Sequence, residues 1–389
     1  MLWTNKVTGG PRRVNHAAVG VPKKRLVFTF GGYCTGEEYN QILKMDVHIF
    51  NACSLQWYAM KTPSRLNSNQ YCCVPYMRYG HTASLVGSKA YIFGGRSDRN
   101  GACNVLYCFD TDMFTWSIPS TDGIPPEARD GHSACVIKTK IYICGGFKEI
   151  DQRFSSDLHM LETETMTWHR PFQTTLCIWR DFHTSTAIGN KIYVFGGRGD
   201  RNGPIHTNED IYDNAVYEFD TEKLKWTVLS VSGNVPHGRR SHSAIAYNDN
   251  IYIFGGYNGQ LNKHFADLWK FNPVNKQWTE VKTKGDGPCA RRRHSWSLLD
   301  NEVVLFGGTC PSAIPKQVDV QDEDELANLK DLSDVYILDL SPSLTTLCKK
   351  AVLAYNVDCS ELPLQIRGEL ESMRHNSCEQ KFSTGMTQG

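Results

Sequence analysis

Apolar positions along this chain fall in short, strand-length runs, and six of those runs stop at a pair of glycines: Gly31-Gly32, Gly94-Gly95, Gly145-Gly146, Gly196-Gly197, Gly255-Gly256 and Gly307-Gly308. A representative run is Lys191-Ile192-Tyr193-Val194-Phe195, whose β-branched and aromatic residues suit a buried strand. Successive pairs are 63, 51, 51, 59 and 52 residues apart. A period near ~50 residues marks an array in which each repeat is one supersecondary unit. Paired glycines remove side chains where neighbouring units crowd the axis and let the backbone turn.

Two further markers keep the same register. A tryptophan follows each of the first five pairs, at Trp57, Trp116, Trp168, Trp226 and Trp278, placed where a large ring fills the gap between neighbouring blades. The sixth repeat has none, and its strand Asp334-Val335-Tyr336-Ile337-Leu338 runs into the tail. Trp3, however, sits near the N-terminus with no repeat before it. The pattern predicts that Leu2-Trp3-Thr4 supplies the outer strand of blade six, closing the ring and leaving no open edge. The third marker, Arg-x-x-His, precedes every glycine-ended strand: Arg13/His16, Arg78/His81, Arg129/His132, Arg180/His183, Arg239/His242 and Arg291/His294. Six-fold register spreads these residues around a ring, so they are expected to bond backbone between blades rather than form a catalytic or metal cluster. Paired glycines at this period are the spacing of kelch repeats. The fold class expected is all-β: a six-bladed kelch β-propeller over residues 1–340, closed by an N-terminal strand and followed by a short helical tail.

Composition adds exclusions. A formal net charge of +1 on 389 residues gives the whole molecule no strong pull toward nucleic acid or a membrane surface. No apolar stretch approaches the ~18 residues of a membrane span, and Met1-Leu2-Trp3-Thr4 is unlike a signal peptide. The 14 cysteines include no Cys-x-x-Cys pair, and several, such as Cys135 and Cys144, sit inside apolar strand patterns. Buried free thiols in a reducing compartment, cytoplasmic or nuclear, are expected, with no metal or cofactor.

Function is expected where the repeats differ. The turn inside Arg-x-x-His and the residue after Gly-Gly must lie at the same mouth of the ring. The turns read Val14-Asn15, Tyr79-Gly80, Asp130-Gly131, Asp181-Phe182, Arg240-Ser241 and Arg292-Arg293; the residues after the glycines are Tyr33, Arg96, Phe147, Arg198, Tyr257 and Thr309. Asp130 and Asp181 put acid on blades three and four, Arg240 and Arg292 put base on blades five and six, and Tyr79, Phe147 and Tyr257 are aromatic walls. Such a bipolar mouth suits a ligand with an anion at its end and a cation nearby, such as a peptide C-terminus with a basic penultimate residue. The alternative is that these charges pair with one another across the channel.

After Leu340 the period changes. Leu344, Cys348 and Val352 fall four apart on one helical face, with Pro342 and Ser343 as a start signal; Leu362-Pro363 then opens a second short helix carrying Ile366 and Leu370. The first segment resembles the BC-box that binds Elongin C, and the second resembles a Cullin-2 box. The whole chain is similar to the kelch-type substrate receptors of Cullin-2 ubiquitin ligases, including at Gly10-Pro11-Arg12-Arg13-Val14-Asn15-His16 and Tyr76-Met77-Arg78-Tyr79-Gly80-His81. The resemblance implies a non-catalytic receptor for C-terminal glycine degrons, with Arg, Lys or Gln before the glycine. Elongin B, Elongin C, Cullin-2 and a RING-box protein would be its partners. It assigns the terminal carboxylate to Arg198, Arg240, Ser241 and Arg292, the Elongin C contact to Leu344, Cys348 and Val352, and the cullin contact to Leu362, Pro363, Ile366 and Leu370. The tail helices occupy 341–371. Residues 372–389 read as flexible and end Thr387-Gln388-Gly389, a glycine that would compete for the arginine site of its own or a neighbouring molecule. The acidic segment Asp319 to Leu326 reads as a solvated loop. A kelch scaffold or actin-binding protein would share the propeller without needing the two boxes, and a propeller enzyme would need ligands or a nucleophile that break the six-fold register at the mouth.

Overall fold

The structure is a computed structural model that describes residues 1–37, 43–60, 73–173, 177–312 and 328–375. The acidic segment and residues 376–389, Gly389 included, lie outside them. Six twisted sheets of four principal antiparallel strands are arranged around an axis. In blade one the chain passes outward through Ala17–Val21, Leu26–Phe30, Val47–Asn51 and Gln56–Ala59. Blade six begins the same way with Ser295–Leu299, Glu302–Phe306 and Val335–Asp339, but takes its outermost strand from the N-terminus. Leu2–Val7 pairs antiparallel with Val335–Asp339, placing Trp3 opposite Leu338 and Val7 opposite Val335. The expected closure is therefore present, and it joins the two ends of the array covalently distant by most of the chain.

The second strand of each blade is apolar on both faces because a neighbouring blade covers each side. In Asn250–Phe254, for example, the last four residues are all buried. The tryptophans fill the seams between blades. Trp57 lies 4.5 Å from Phe306 of blade six, Trp168 5.4 Å from Phe93 of blade two, and Trp278 5.0 Å from Phe195 of blade four, measured between ring centroids. Trp3 does the same from blade six, 5.9 Å from Phe254 of blade five.

Glycine pairs and the Arg-x-x-His turns form one device. The N–H of each second glycine donates to the carbonyl of the repeat arginine on the next blade, from Gly32 to Arg78 (2.8 Å) around the ring to Gly308 and Arg13 (3.0 Å). These glycines have φ near +90°; on the first glycine of a pair, Gly94 with φ +68°, a Cβ would stand 2.4 Å from the His132 ring and 2.8 Å from the Arg129 carbonyl. Within their own blades Arg129, Arg239 and Arg291 donate to the first glycine's carbonyl and fork an aspartate, as Arg239 does with Gly255 (3.0 Å) and Asp267 and Arg291 with Gly307 (3.1 Å) and Asp334. The histidines reach the preceding blade: His132 to Thr82 (2.9 Å), His183 to Ser133 (2.7 Å), and His16 across the closure to Ser295 (2.8 Å). Burial pushes His16, His81, His132 and His242 down to about 3, so they are neutral at physiological pH.

Two helices follow the last blade. Helix α1, Leu344–Ala354, is capped by Ser343, whose hydroxyl accepts from the Thr346 N–H (3.1 Å); helix α2 is Leu364–His375. Lys350 donates to the Thr4 carbonyl on the closing strand, and Lys349 pairs with Glu369, so the helices are tied to blade six and to each other. Among the described residues no helix is long and apolar enough to cross a membrane.

The closing seam yields the first prediction. Trp3→Ala is expected to cost ~3–5 kcal/mol, the loss for a buried aromatic, and to lower the urea unfolding midpoint. Trp116→Ala, whose ring is half-buried, is expected to cost less. A Trp3→Ala protein as stable as the parent would contradict closure by this strand.

Candidate ligand site at the propeller mouth

The turn residues and the residues after the glycines meet as anticipated from strand direction. Val14 bridges Tyr33, Asp130 bridges Phe147, Asp181 bridges Arg198, Arg240 bridges Tyr257, Arg292 bridges Thr309, and Tyr79 is opposite Arg96. The second residue of each turn has positive φ: Asn15, Gly80, Gly131, Phe182, Ser241 and Arg293 all lie between 49° and 69°. That conformation turns the peptide groups toward one another around the axis. Gly80 donates to Asn15, Gly131 to Gly80, Phe182 to Gly131, Ser241 to Phe182, Arg293 to Ser241, and Asn15 closes the cycle on Arg293 (2.9 Å). These six residues and the six repeat histidines line a polar axial chamber of ≈ 110 Å³.

The charges at the mouth are arranged differently from the bipolar layout expected. Asp181 is fully buried, and Arg198 forks it with Nε–Oδ1 at 3.2 Å and Nη2–Oδ2 at 2.6 Å. Its charge is matched within the protein, so it does not present a free acid to a ligand's cation; the partner is a neighbour in the same blade, not a charge across the channel. Asp130 is also buried, and desolvation, reinforced by Asp181, pushes its carboxyl up to about 7. At neutral pH it carries only part of a charge. Arg292, expected to grip a carboxylate, is 1 % exposed and lies with its guanidinium 4.2 Å from the centroid of the Tyr257 ring. Tyr257 is itself buried and donates its hydroxyl to Asn262 (3.0 Å). The pair supports the mouth from beneath rather than lining it. Ser241 belongs to the axial ring. Tyr79 stands on the far side, its hydroxyl on Asp98 (2.6 Å) and its ring 5.3 Å from that of Tyr33; Phe147 packs on Phe154 at 5.3 Å.

Among the described residues a cleft of ≈ 470 Å³ opens over blades four and five, lined by Arg198 and Arg240 with His206, Asp210, Tyr212 and Gln260. Arg240 is half-buried and lies 5.9 Å from the Tyr212 ring and 5.7 Å from the Tyr257 ring, aromatic faces that favour a partly desolvated cation. Tyr212 donates to Asp210 (3.2 Å), and its phenol is pushed up to about 12, chiefly by burial. A second hollow beside Tyr33, Tyr76 and Tyr79 holds only ≈ 40 Å³, room for a water or two and not for a peptide end. His206, Asp210 and Tyr212 were not singled out from the sequence. The signal that could have found them is the 59-residue spacing between the fourth and fifth glycine pairs, the excess of which holds this insertion.

At the tail, the apolar face of α1 is open. Leu344 is 77 % exposed, Leu347 41 %, Cys348 is exposed and Val352 half-buried. In α2 and its approach Pro363 is exposed, Leu362 and Ile366 are half-buried, and Leu364 is exposed. Leu370 is a correction: it is 3 % exposed and so packs within its own chain rather than facing a partner. No group of three or more His, Cys, Asp or Glu among the described residues is placed to hold a metal ion.

This architecture defines a kelch-repeat propeller, and a profile described as the KLHDC2/KLHL20/DRC7 Kelch-repeats domain matches residues 80–308. Kelch domain-containing protein 3 from Bos taurus is 50% identical over 383 residues, covering 97% of each chain, and the Homo sapiens protein of that name matches to the same extent. Human Host cell factor 2 is 29% identical over 271 residues, 65% of this chain and 34% of that protein. The chain belongs to the kelch domain-containing protein 3 family.

The buried Asp130 gives a pH test. Its folded value, about 7, lies above the ordinary 3.8, so folding takes up a proton in that window. The associated stability is complete below pH ~4 and is lost as pH rises through ~7. Asp130→Asn is expected to raise stability by ~1–3 kcal/mol at pH 8, the scale for a poorly satisfied buried polar group, and to change it little near pH 4. Urea unfolding at both pH values checks this; an equal gain at both contradicts it.

Proposed function

We propose that this chain is the non-catalytic substrate-recognition subunit of a Cullin-2 ubiquitin ligase, bound through Elongin B and Elongin C, with a RING-box protein completing the assembly. Its substrates are proteins ending in glycine, with Arg, Lys or Gln before it. The observation that carries this reading is that one chain combines an arginine-lined cleft at the propeller mouth with an uncovered apolar helix face at the tail. The cleft supplies donors with fork geometry, suited to a terminal carboxylate. The helix face has the i, i+4, i+8 spacing of a helix that docks in a groove. Arg240 would take the carboxylate directly. Arg198, held in place by Asp181, would add a second donor. A basic penultimate side chain would meet Asp210 and Glu209, which line the same cleft, the acids left for it once Asp181 is accounted for. Likeness to kelch domain-containing protein 3 covers 97% of this chain, so it extends beyond the propeller.

Fluorescence polarisation with a peptide ending Arg-Gly tests the cleft. Arg240→Ala is expected to cost ~2–5 kcal/mol, the scale for truncating one partner of a buried charge pair, and amidating the peptide should cost at least ~10-fold. Equal binding of free and amidated peptides would reject the carboxylate site. Asp210→Asn with Glu209→Gln should weaken peptides ending Arg-Gly more than those ending Gln-Gly.

Co-purification tests the tail. Leu344→Ala with Cys348→Phe should abolish capture of Elongin B and Elongin C while peptide binding persists. Replacing Leu362-Pro363 by Ala-Ala should keep Elongin C and lose Cullin-2. Undiminished Elongin C capture by the first variant would overturn the adaptor assignment.

A further inference from the structure

The repeat register exposes a dithiol that the receptor reading does not use. Two residues before each repeat arginine, the backbone carbonyl accepts from the arginine Nε in five of the six blades, at 2.9–3.3 Å. The residues at that position are Pro11, Tyr76, Glu127, Ile178, His237 and Cys289. One residue beyond the post-glycine position the series runs Cys34, Ser97, Lys148, Gly199, Asn258 and Cys310. Blade six alone carries cysteine at both places. The Arg292–Thr309 bridge, with hydrogen bonds of 3.0 and 2.9 Å, brings the two segments side by side. Cys310 lies within electrostatic reach of Cys289, and Arg291 Nη2 donates to the Cys289 sulfur at 3.4 Å.

We propose that Cys289 and Cys310 form a peroxide-reactive pair that closes to a reversible disulfide at the root of blade six. Cys289 is exposed and Cys310 buried, which assigns the attacking and the resolving thiol. A guanidinium donor on the sulfur stabilises its thiolate. The charged groups facing the pair are Arg291 and Lys6 about Cys289, Lys330 about Cys310, and Asp334 opposing them; the outcome for Cys289 is a lowering to about 6, chiefly through the Cys310 hydrogen bond, with Arg291 assisting. In the first step the Cys289 thiolate attacks one oxygen of hydrogen peroxide. The O–O bond breaks, hydroxide leaves and takes a proton as water, and Cys289 becomes a sulfenic acid, oxidised by two electrons. The Cys310 sulfur then attacks that sulfur, the S–O bond breaks, and the departing hydroxide leaves as water with the Cys310 proton. A thiol reductant reverses the bond. The bridge would cross-link the segment leading into Arg291 and Arg292 to the strand Thr309–Pro311, and so clamp the support beneath Tyr257.

The test uses the full chain. The protein is treated with hydrogen peroxide at neutral pH, alkylated to block remaining thiols, digested and mapped by mass spectrometry. A Cys289–Cys310 cross-link, about 2 Da below the reduced pair and removed by dithiothreitol, is expected. In Cys310→Ser, dimedone should label Cys289 instead. In the untreated parent, Cys289 should react with iodoacetamide at pH 6.5 at least ~5-fold faster than the exposed Cys348 on α1, given the thiolate requirement. No cross-link in the parent, or Cys289 alkylation no faster than Cys348, overturns the proposal. Both readings come from the parent protein, so a variant that fails to fold leaves the test intact.

Discussion

The fold rests on a hydrogen bond that no blade can make alone: the carbonyl of each repeat arginine accepts from a glycine N–H of the blade before it. Six such bonds, with the second cycle formed by the turn residues from Asn15 to Arg293, run unbroken around the axis. A cycle of this kind is satisfied only when complete. One missing blade edge would leave buried donors and acceptors orphaned on both sides, each costing ~1–3 kcal/mol. This is why the N-terminal strand and the last blade must meet, and why Trp3 repeats the seam packing of the other tryptophans from the opposite end of the chain. It is also why the glycine pairs are obligatory: their φ values and the closeness of the next blade's histidine leave no room for a Cβ.

The parts of the structure dictated by this cycle were legible in the sequence, because each element of it needs a particular residue type at a fixed spacing. Gly-Gly, Arg-x-x-His and the seam tryptophans are such elements, and together they place all six blades and the closing strand. The mouth was less legible. Its residues could be assigned to one face from strand direction, but their partners could not. Whether Asp181 faces a ligand or Arg198 depends on side-chain rotamers, and whether Arg292 reaches the surface depends on Tyr257 lying over it. Both questions turn on packing between blades, which residue identity does not encode. The insertion carrying His206, Asp210 and Tyr212 escaped for a related reason: it follows no repeat, so no register located it. In the tail, the four-residue spacing identified the faces of α1 and α2, while the burial of Leu370 depended on how α2 lies against its own chain.

Symmetry and its breaking thus divide the labour. Residues that keep the six-fold register hold the ring closed, and their titration is suppressed by burial, as the neutral histidines show. Residues that depart from it gather on blades four to six: the two arginines of the cleft, the Arg292–Tyr257 support, and the Cys289–Cys310 pair. The helices attach where the ring is closed, through Lys350 and the Thr4 carbonyl, so the proposed adaptor face is fixed to the seam that the whole array requires. On the proposed reading, a substrate end held at the mouth and a ligase held at the tail are joined through that seam.

The most direct test of that reading is reconstituted ubiquitination. The chain is assembled with Elongin B, Elongin C, Cullin-2, its RING-box protein and charged conjugating enzyme, and presented with two versions of one reporter, one ending in Arg-Gly and one extended beyond the glycine by a single alanine. Modification of the first at least ~10-fold faster than the second is the expected result, on the scale of losing one carboxylate contact. Equal modification of both, or modification of neither by an assembled complex, would contradict the claim that this propeller reads a terminal glycine for a ligase.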